Sequence, residues 1–323
     1  VNTWVVAWLL GGVAVQAPGI GVRLLSSVDG SGKPPDALEK LVRLGTTVTL
    51  HAVVDRKTVA DAPLTVRWSK VEAADHWVSN TDPTFHWHPI RYQEVALPAC
   101  DDQLTCRAQV RAGLLHDHGG VGTMAFRVVV SQGERRGASP GAEKLYRGGL
   151  SSEVARVTVR RDDSYLGYLT ELYNTPYIWG SAGEPDTVHQ AERRIGSDCA
   201  DFVTYGVRRM GHRVPYTSTW HLPTHAREIS RSTGPSVDGI YRDGKGVPIP
   251  VGEKGARPGD LLLFPRHVGA LLRDEPPLGV LSVGDVMAHT CWREPLEQPV
   301  AETDYASQPV RVLRWKVLER GAR

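Results

Sequence analysis

Cys199 follows Asp198 at the start of an apolar-periodic stretch, and His267 opens a short apolar run further along. A thiol and an imidazole are the groups that nucleophilic attack and proton transfer require. Asp198 suits an N-cap. Phe202, Val203, Val207 and Met210 form one apolar stripe that stops at Gly211, so the spacing predicts a helix beginning at Cys199. Unpaired N–H groups and the helix dipole there are expected to lower the thiol below its free pKa of about 8.5 and to hold a developing oxyanion. Downstream, Arg257-Pro258-Gly259-Asp260 reads as a turn, Leu261 to Phe264 as a buried strand, Pro265-Arg266 as a tight connection and His267 to Leu272 as the return strand. His267 is expected near the sheet edge. Asp285 to Thr290 is the next strand; an antiparallel pairing would set His289 beside His267, fixing its tautomer. Cys291 is placed on the same strand face as His289, as a small buried hydrophobe or a redox partner of Cys199.

These groups need a frame to hold them. The chain has 323 residues, enough for two domains, with 41% hydrophobic and 23% charged residues, a globular balance. Lys and Arg number 38 against 36 Asp and Glu, so no nucleic-acid footprint is expected. The run from Trp4 to Ala17 is shorter than the roughly 20 residues of a membrane span. It reads as the core of a truncated secretory signal ending at Val15-Gln16-Ala17, which implies a periplasmic or extracellular protein with no stable membrane span. Residues 18–40 then read as a linker. Within 41–160, Thr47 to Val54, Leu64 to Trp68, Leu104 to Val110, Thr123 to Val130 and Val154 to Val159 alternate with period two, the mark of an antiparallel sandwich. Gln132 to Gly149 reads as a long mobile loop. Cys100 and Cys106 flank a polar turn and are placed either in a small disulfide or, for Cys106, as a buried strand residue. Helical spacing at Leu166, Leu169 and Leu172, capped by Asp162 or Asp163, opens a second domain at 161–323.

Pro176-Tyr177-Ile178-Trp179-Gly180, Asp198-Cys199-Ala200, Pro258-Gly259-Asp260-Leu261, His267-Val268-Gly269 and a final His289, in this order, resemble the NlpC/P60 cysteine peptidases over roughly residues 161–318. The resemblance implies a papain-like α+β fold with the helix-start cysteine packed on an antiparallel sheet. It also implies cleavage of amide bonds in peptidoglycan stem peptides with no metal or cofactor. Carried over, Cys199 is nucleophile, His267 base and His289 orienting residue; Tyr177, Asp198 and Trp179 line the substrate and oxyanion subsites. The strands of Trp68 and Cys106 resemble the core strands of immunoglobulin-like domains, although Leu104 stands where a corner tyrosine would be. Such a domain could bind a glycan or a cell-envelope partner.

Three departures from the family pattern bear on substrate. Ala200 replaces serine, Asp201 replaces glycine and Ser181 replaces a second glycine after Trp-Gly. The segment Gly211 to Gly255 is long and reads as a lid or specificity loop. Two other functions stay open: an amidase or acyltransferase on a non-wall substrate, and an inert binding or scaffold protein. His86 with His88 and His116 with His118 read as packed or solvent-facing rather than metal-binding. Trp220 and Trp292 read as buried or as sugar-stacking residues.

Overall fold

Alternating apolar and polar residues build the first half of the chain as strands. A computed structural model describes residues 19–111, 115–233 and 238–320; the signal-like residues 1–17 lie outside them. The strands are β1 (Val22–Val28), β2 (Lys40–Arg43), β3 (Val48–Val54), β4 (Thr65–Ala73), β5 (Trp77–Ser79), β6 (Tyr92–Ala96), β7 (Thr105–Arg107), β8 (Gly122–Gln132), β9 (Arg135–Ala138), β10 (Leu145–Tyr146), β11 (Gly149–Leu150) and β12 (Ala155–Arg160). A three-stranded sheet runs β1-β3-β7, and a six-stranded sheet runs β2-β12-β8-β4-β6 with β9 paired to β8. Their alternate residues, among them Leu24, Leu50, Cys106, Trp68, Phe126 and Val128, share one buried core. The Trp68 indole N–H donates to the Gln103 carbonyl at 2.9 Å, and a disulfide joins Cys100 to Cys106. The linker reading of 18–40 is corrected: Val22–Val28 pairs antiparallel with β3 in full register. The mobile-loop reading of 132–149 is corrected as well, because β9 and β10 form there.

The second half contains α1 (Tyr165–Leu169), β13 (Tyr177–Trp179), α2 (Cys199–Arg209), α3 (Leu222–His225), β14 (Ala226–Arg231), β15 (Leu261–Phe264), β16 (His267–Arg273), β17 (Val286–His289), β18 (Leu296–Pro299), β19 (Arg311–Trp315) and α4 (Lys316–Arg320). Ser164, not Asp162 or Asp163, caps α1, accepting from the Gly167 N–H. The six strands pair in the order β14-β19-β15-β16-β17-β18. Phe202, Val203 and Val207 of α2 share a core with Val268, Ala270 and Ala288 of the sheet. Leu262, Phe264, Leu271 and Met287 face the other way, into a second core that takes Tyr241 and Ile249. The lid reading of Gly211 to Gly255 is thereby narrowed, since Tyr241 and Ile249 serve as packing. Together the elements make a mixed α+β protein with mostly antiparallel sheets and short helices.

The two halves are joined by paired strands and buried charge. β5 runs parallel to β13, with Trp77 opposite Tyr177 and Ser79 opposite Trp179. Glu39 receives Arg194 at 2.8 and 2.6 Å and Thr158 Oγ1 at 2.8 Å. Burial would push the Glu39 carboxyl up, but the Arg194 guanidinium outweighs it and holds the pKa at about 2. Glu39 therefore contributes stability above its unfolded pKa of about 4.5, and that contribution is lost as pH falls toward 2. Glu39→Ala, which strands Arg194, is expected to cost about 3 kcal/mol in urea unfolding at pH 7. The difference from the native chain should shrink as pH falls below about 4.5.

Candidate active site

The N-cap of α2 fixes where the sulfur sits. The Asp198 carboxylate accepts the Asp201 N–H at 2.8 Å and also the Ala200 N–H. Cys199 is the first helical residue, and its own N–H is the helix-start donor that the cap leaves over. The thiol is buried, and the backbone N–H of Val268, the residue after His267, acts to lower its pKa.

His267 begins β16 and is fully buried. The expectation of a sheet-edge position is corrected: β17 and β18 extend the sheet beyond β16, so its first residue is interior. His267 Nε2 and His289 Nδ1 are 2.9 Å apart. Gly269 makes room for this contact. A Cβ there would lie 2.8 Å from Met287 Sδ and 3.1 Å from His289 Cβ. Tyr305 stacks on the His267 ring at 4.2 Å and 13°, and its hydroxyl meets Cys291 Sγ at 3.1 Å. Cys291 lies beyond the end of β17, so it does not share a strand face with His289.

Proton placement follows from these contacts. If His267 donates from Nε2 to His289, its Nδ1 keeps a lone pair and can act as base. Among the described residues His267 Nδ1 has no hydrogen-bond partner, and none joins it to the Cys199 sulfur. The expected lowering of the thiol pKa is corrected. Burial, then the Asp198 carboxylate, push Cys199 well up; the Val268 N–H opposes them and does not prevail. Burial, then His289, hold His267 well below the usual imidazole range, and burial holds His289 at about 4. The resting pair is therefore a neutral thiol and a neutral imidazole. The helix dipole contributes about 1 kcal/mol in such settings, too little to offset burying a thiolate beside a carboxylate.

Ser181 and Asp201 contact each other. Ser181 Oγ donates to the Asp201 carboxylate and accepts the Asp198 N–H at 3.0 Å. His189 Nε2 lies 3.5 Å from the same Asp201 carboxylate and its ring stacks on Tyr216 at 3.9 Å. Burial and the Asp198 charge push Asp201 well above the carboxylate range, and burial raises Asp198 to about 6. Tyr177 is buried, and burial followed by the Cys199 sulfur push its phenol up. Trp179 stays half-exposed against Trp292. Trp220, on the segment before α3, is exposed. Tyr305 and His189 carry no motif in the sequence; a lone tyrosine or histidine in a loop gains meaning only when folding sets it against His267 or Asp201.

Compared with protein-family models, curated proteins and solved structures, the chain matches none. Among the described residues no helix is long and apolar enough to cross a membrane.

Asp198 is the charge nearest the thiol whose removal leaves the helix capped, since Asn also caps. Asp198→Asn is expected to raise the neutral-pH rate of Cys199 alkylation by iodoacetamide about tenfold, the equivalent of one pKa unit. An unchanged rate would show that the carboxylate does not hold the thiol protonated.

Proposed function

We propose that the chain is an exported thiol hydrolase that cleaves amide bonds in peptidoglycan stem peptides. The reading includes a papain-like fold for 161–323 and an immunoglobulin-like sandwich for the first half. What supports it most is the 2.9 Å contact between His267 Nε2 and His289 Nδ1, which leaves His267 Nδ1 without a hydrogen-bond partner among the described residues. In the proposed reaction His267 Nδ1 takes the Cys199 proton as the sulfur attacks the substrate carbonyl. The oxyanion accepts the Cys199 N–H. His267 then protonates the leaving amine, and water, activated by the same imidazole, hydrolyses the thioester. Binding of substrate supplies the carbonyl that makes the neutral resting pair reactive. Tyr177, which packs on Trp292, forms the wall against which the acyl group lies.

A second reading, an inert scaffold, draws on the raised thiol pKa and the absence of a sulfur–imidazole bond at rest. Digestion of purified muropeptides followed by mass spectrometry separates the two. The native chain is expected to release peptide fragments. Cys199→Ala is expected to release none at an unchanged melting temperature, and His267→Ala to be slower by about 10²–10⁴-fold. Products that persist undiminished in Cys199→Ala, or no products with any muropeptide, would sink the hydrolase reading.

A further inference from the structure

Three tryptophans from both halves of the chain meet beside Tyr177. Trp179 stacks on Trp292 with ring centroids 5.6 Å apart and 23° between planes, and Trp77 of β5 meets Trp292 edge-on at 5.2 Å. The Tyr177 ring lies 5.4 Å from Trp292 as well. In most proteins such rings complete a core; here Trp77, Trp179 and Trp292 remain 48%, 44% and 50% exposed.

Trp292 is also held under backbone strain. Its φ is +55°, a region that bulky side chains rarely adopt and that persists only when surroundings impose it. The surroundings here are specific. Thr290 Oγ1 donates to the Arg293 carbonyl at 2.7 Å. Two residues past Trp292, the buried Glu294 carboxylate takes His76 Nδ1 at 2.7 Å and His116 Nδ1 at 2.6 Å, both from the first half of the chain. The sandwich thus both contributes Trp77 and clamps the loop that presents Trp292.

We infer that this surface is a sugar-binding subsite, built jointly by the two halves, that stacks a pyranose ring of the glycan carrying the scissile peptide. The inference rests on the hydrolase reading for its substrate class. The chemistry favours a sugar over a cation or an apolar side chain. The titratable residues flanking the tryptophans in sequence are His76 and Arg293, both basic, and the Asp75 carboxylate is held by Arg91 at 2.8 Å, an arrangement that does not favour an ammonium group. The surface is open, as a ring face requires, rather than a closed apolar pocket. Ser79 and Thr81, with hydroxyls 3.4 Å apart on the strand and turn after Trp77, supply polar groups at the rim for sugar hydroxyls. The C–H face of a pyranose carries slight positive charge and suits the negative face of an indole.

The test is binding of a peptide-free β-1,4-linked N-acetylglucosamine tetramer to the full chain bearing Cys199→Ala, followed by tryptophan fluorescence. Binding is expected. Adding Trp77→Ala should weaken it about tenfold, and Trp77→Tyr, which keeps a ring, should restore most of it. A melting temperature unchanged in the Trp77→Tyr variant guards against a folding defect. No binding by the Cys199→Ala chain, or equal affinity in all three chains, overturns the inference. So does loss in Trp77→Ala of affinity for sugar-free stem peptide alone, which would assign the surface to the peptide. Sugar binding that depends on Trp77 with no muropeptide cleavage by the native chain would retain the subsite and remove the hydrolase reading.

Discussion

The amino end of α2 is held against β16 by Phe202, Val203 and Val207 packing on Val268 and Ala270, and by the Val268 N–H reaching the Cys199 sulfur. The rest of the site depends on that contact. It buries the thiol, which raises its pKa. It also directs the spent capacity of the Asp198 cap toward Ala200 and Asp201, leaving Cys199 N–H as the remaining donor. A loosening of α2 would therefore move the Cys199 thiol and its N–H away from β16, because one packed core holds the helix on that strand.

The first half of the chain is part of the same assembly. The parallel pairing of β5 with β13 supports the strand that carries Tyr177 and Trp179, and Gly180 allows it: φ is +72° there, and a Cβ would lie 2.6 Å from Thr81 Cγ2. Glu294 adds a second attachment. Burial would raise its carboxyl, but hydrogen bonds from His76 and His116 hold it below the usual range. The cluster of Trp77, Trp179 and Trp292 is consequently a property of both halves, which short linker-joined domains would not share.

Much of this was legible in the sequence. The Asp198 cap and its apolar stripe gave α2, and the runs Leu261 to Phe264 and His267 to Leu272 about a two-residue turn gave β15 as it stands and β16 to within one residue. Period-two alternation located β3, β4, β8 and β12. Other features were hidden for physical reasons. β1 lies in a stretch without a strong alternation signal and becomes a strand through its pairing with β3. The interior position of His267 depends on strand order, which local pattern does not encode. The direction of the Cys199 pKa depends on burial, and the helix-start argument contains no burial. Asp201 and Ser181 looked like separate departures from a family pattern; folded, they bond to each other.

The central claim is that His267 acts on Cys199 as one chemical unit although their resting forms are neutral. It is tested most directly by the pH–rate profile of Cys199 alkylation by iodoacetamide in the native chain and in His267→Gln. Proton removal by the imidazole predicts that His267→Gln is slower at neutral pH by about tenfold or more and converges with the native chain at alkaline pH, where solvent hydroxide ionises the thiol. Superimposable profiles across the range would contradict the account.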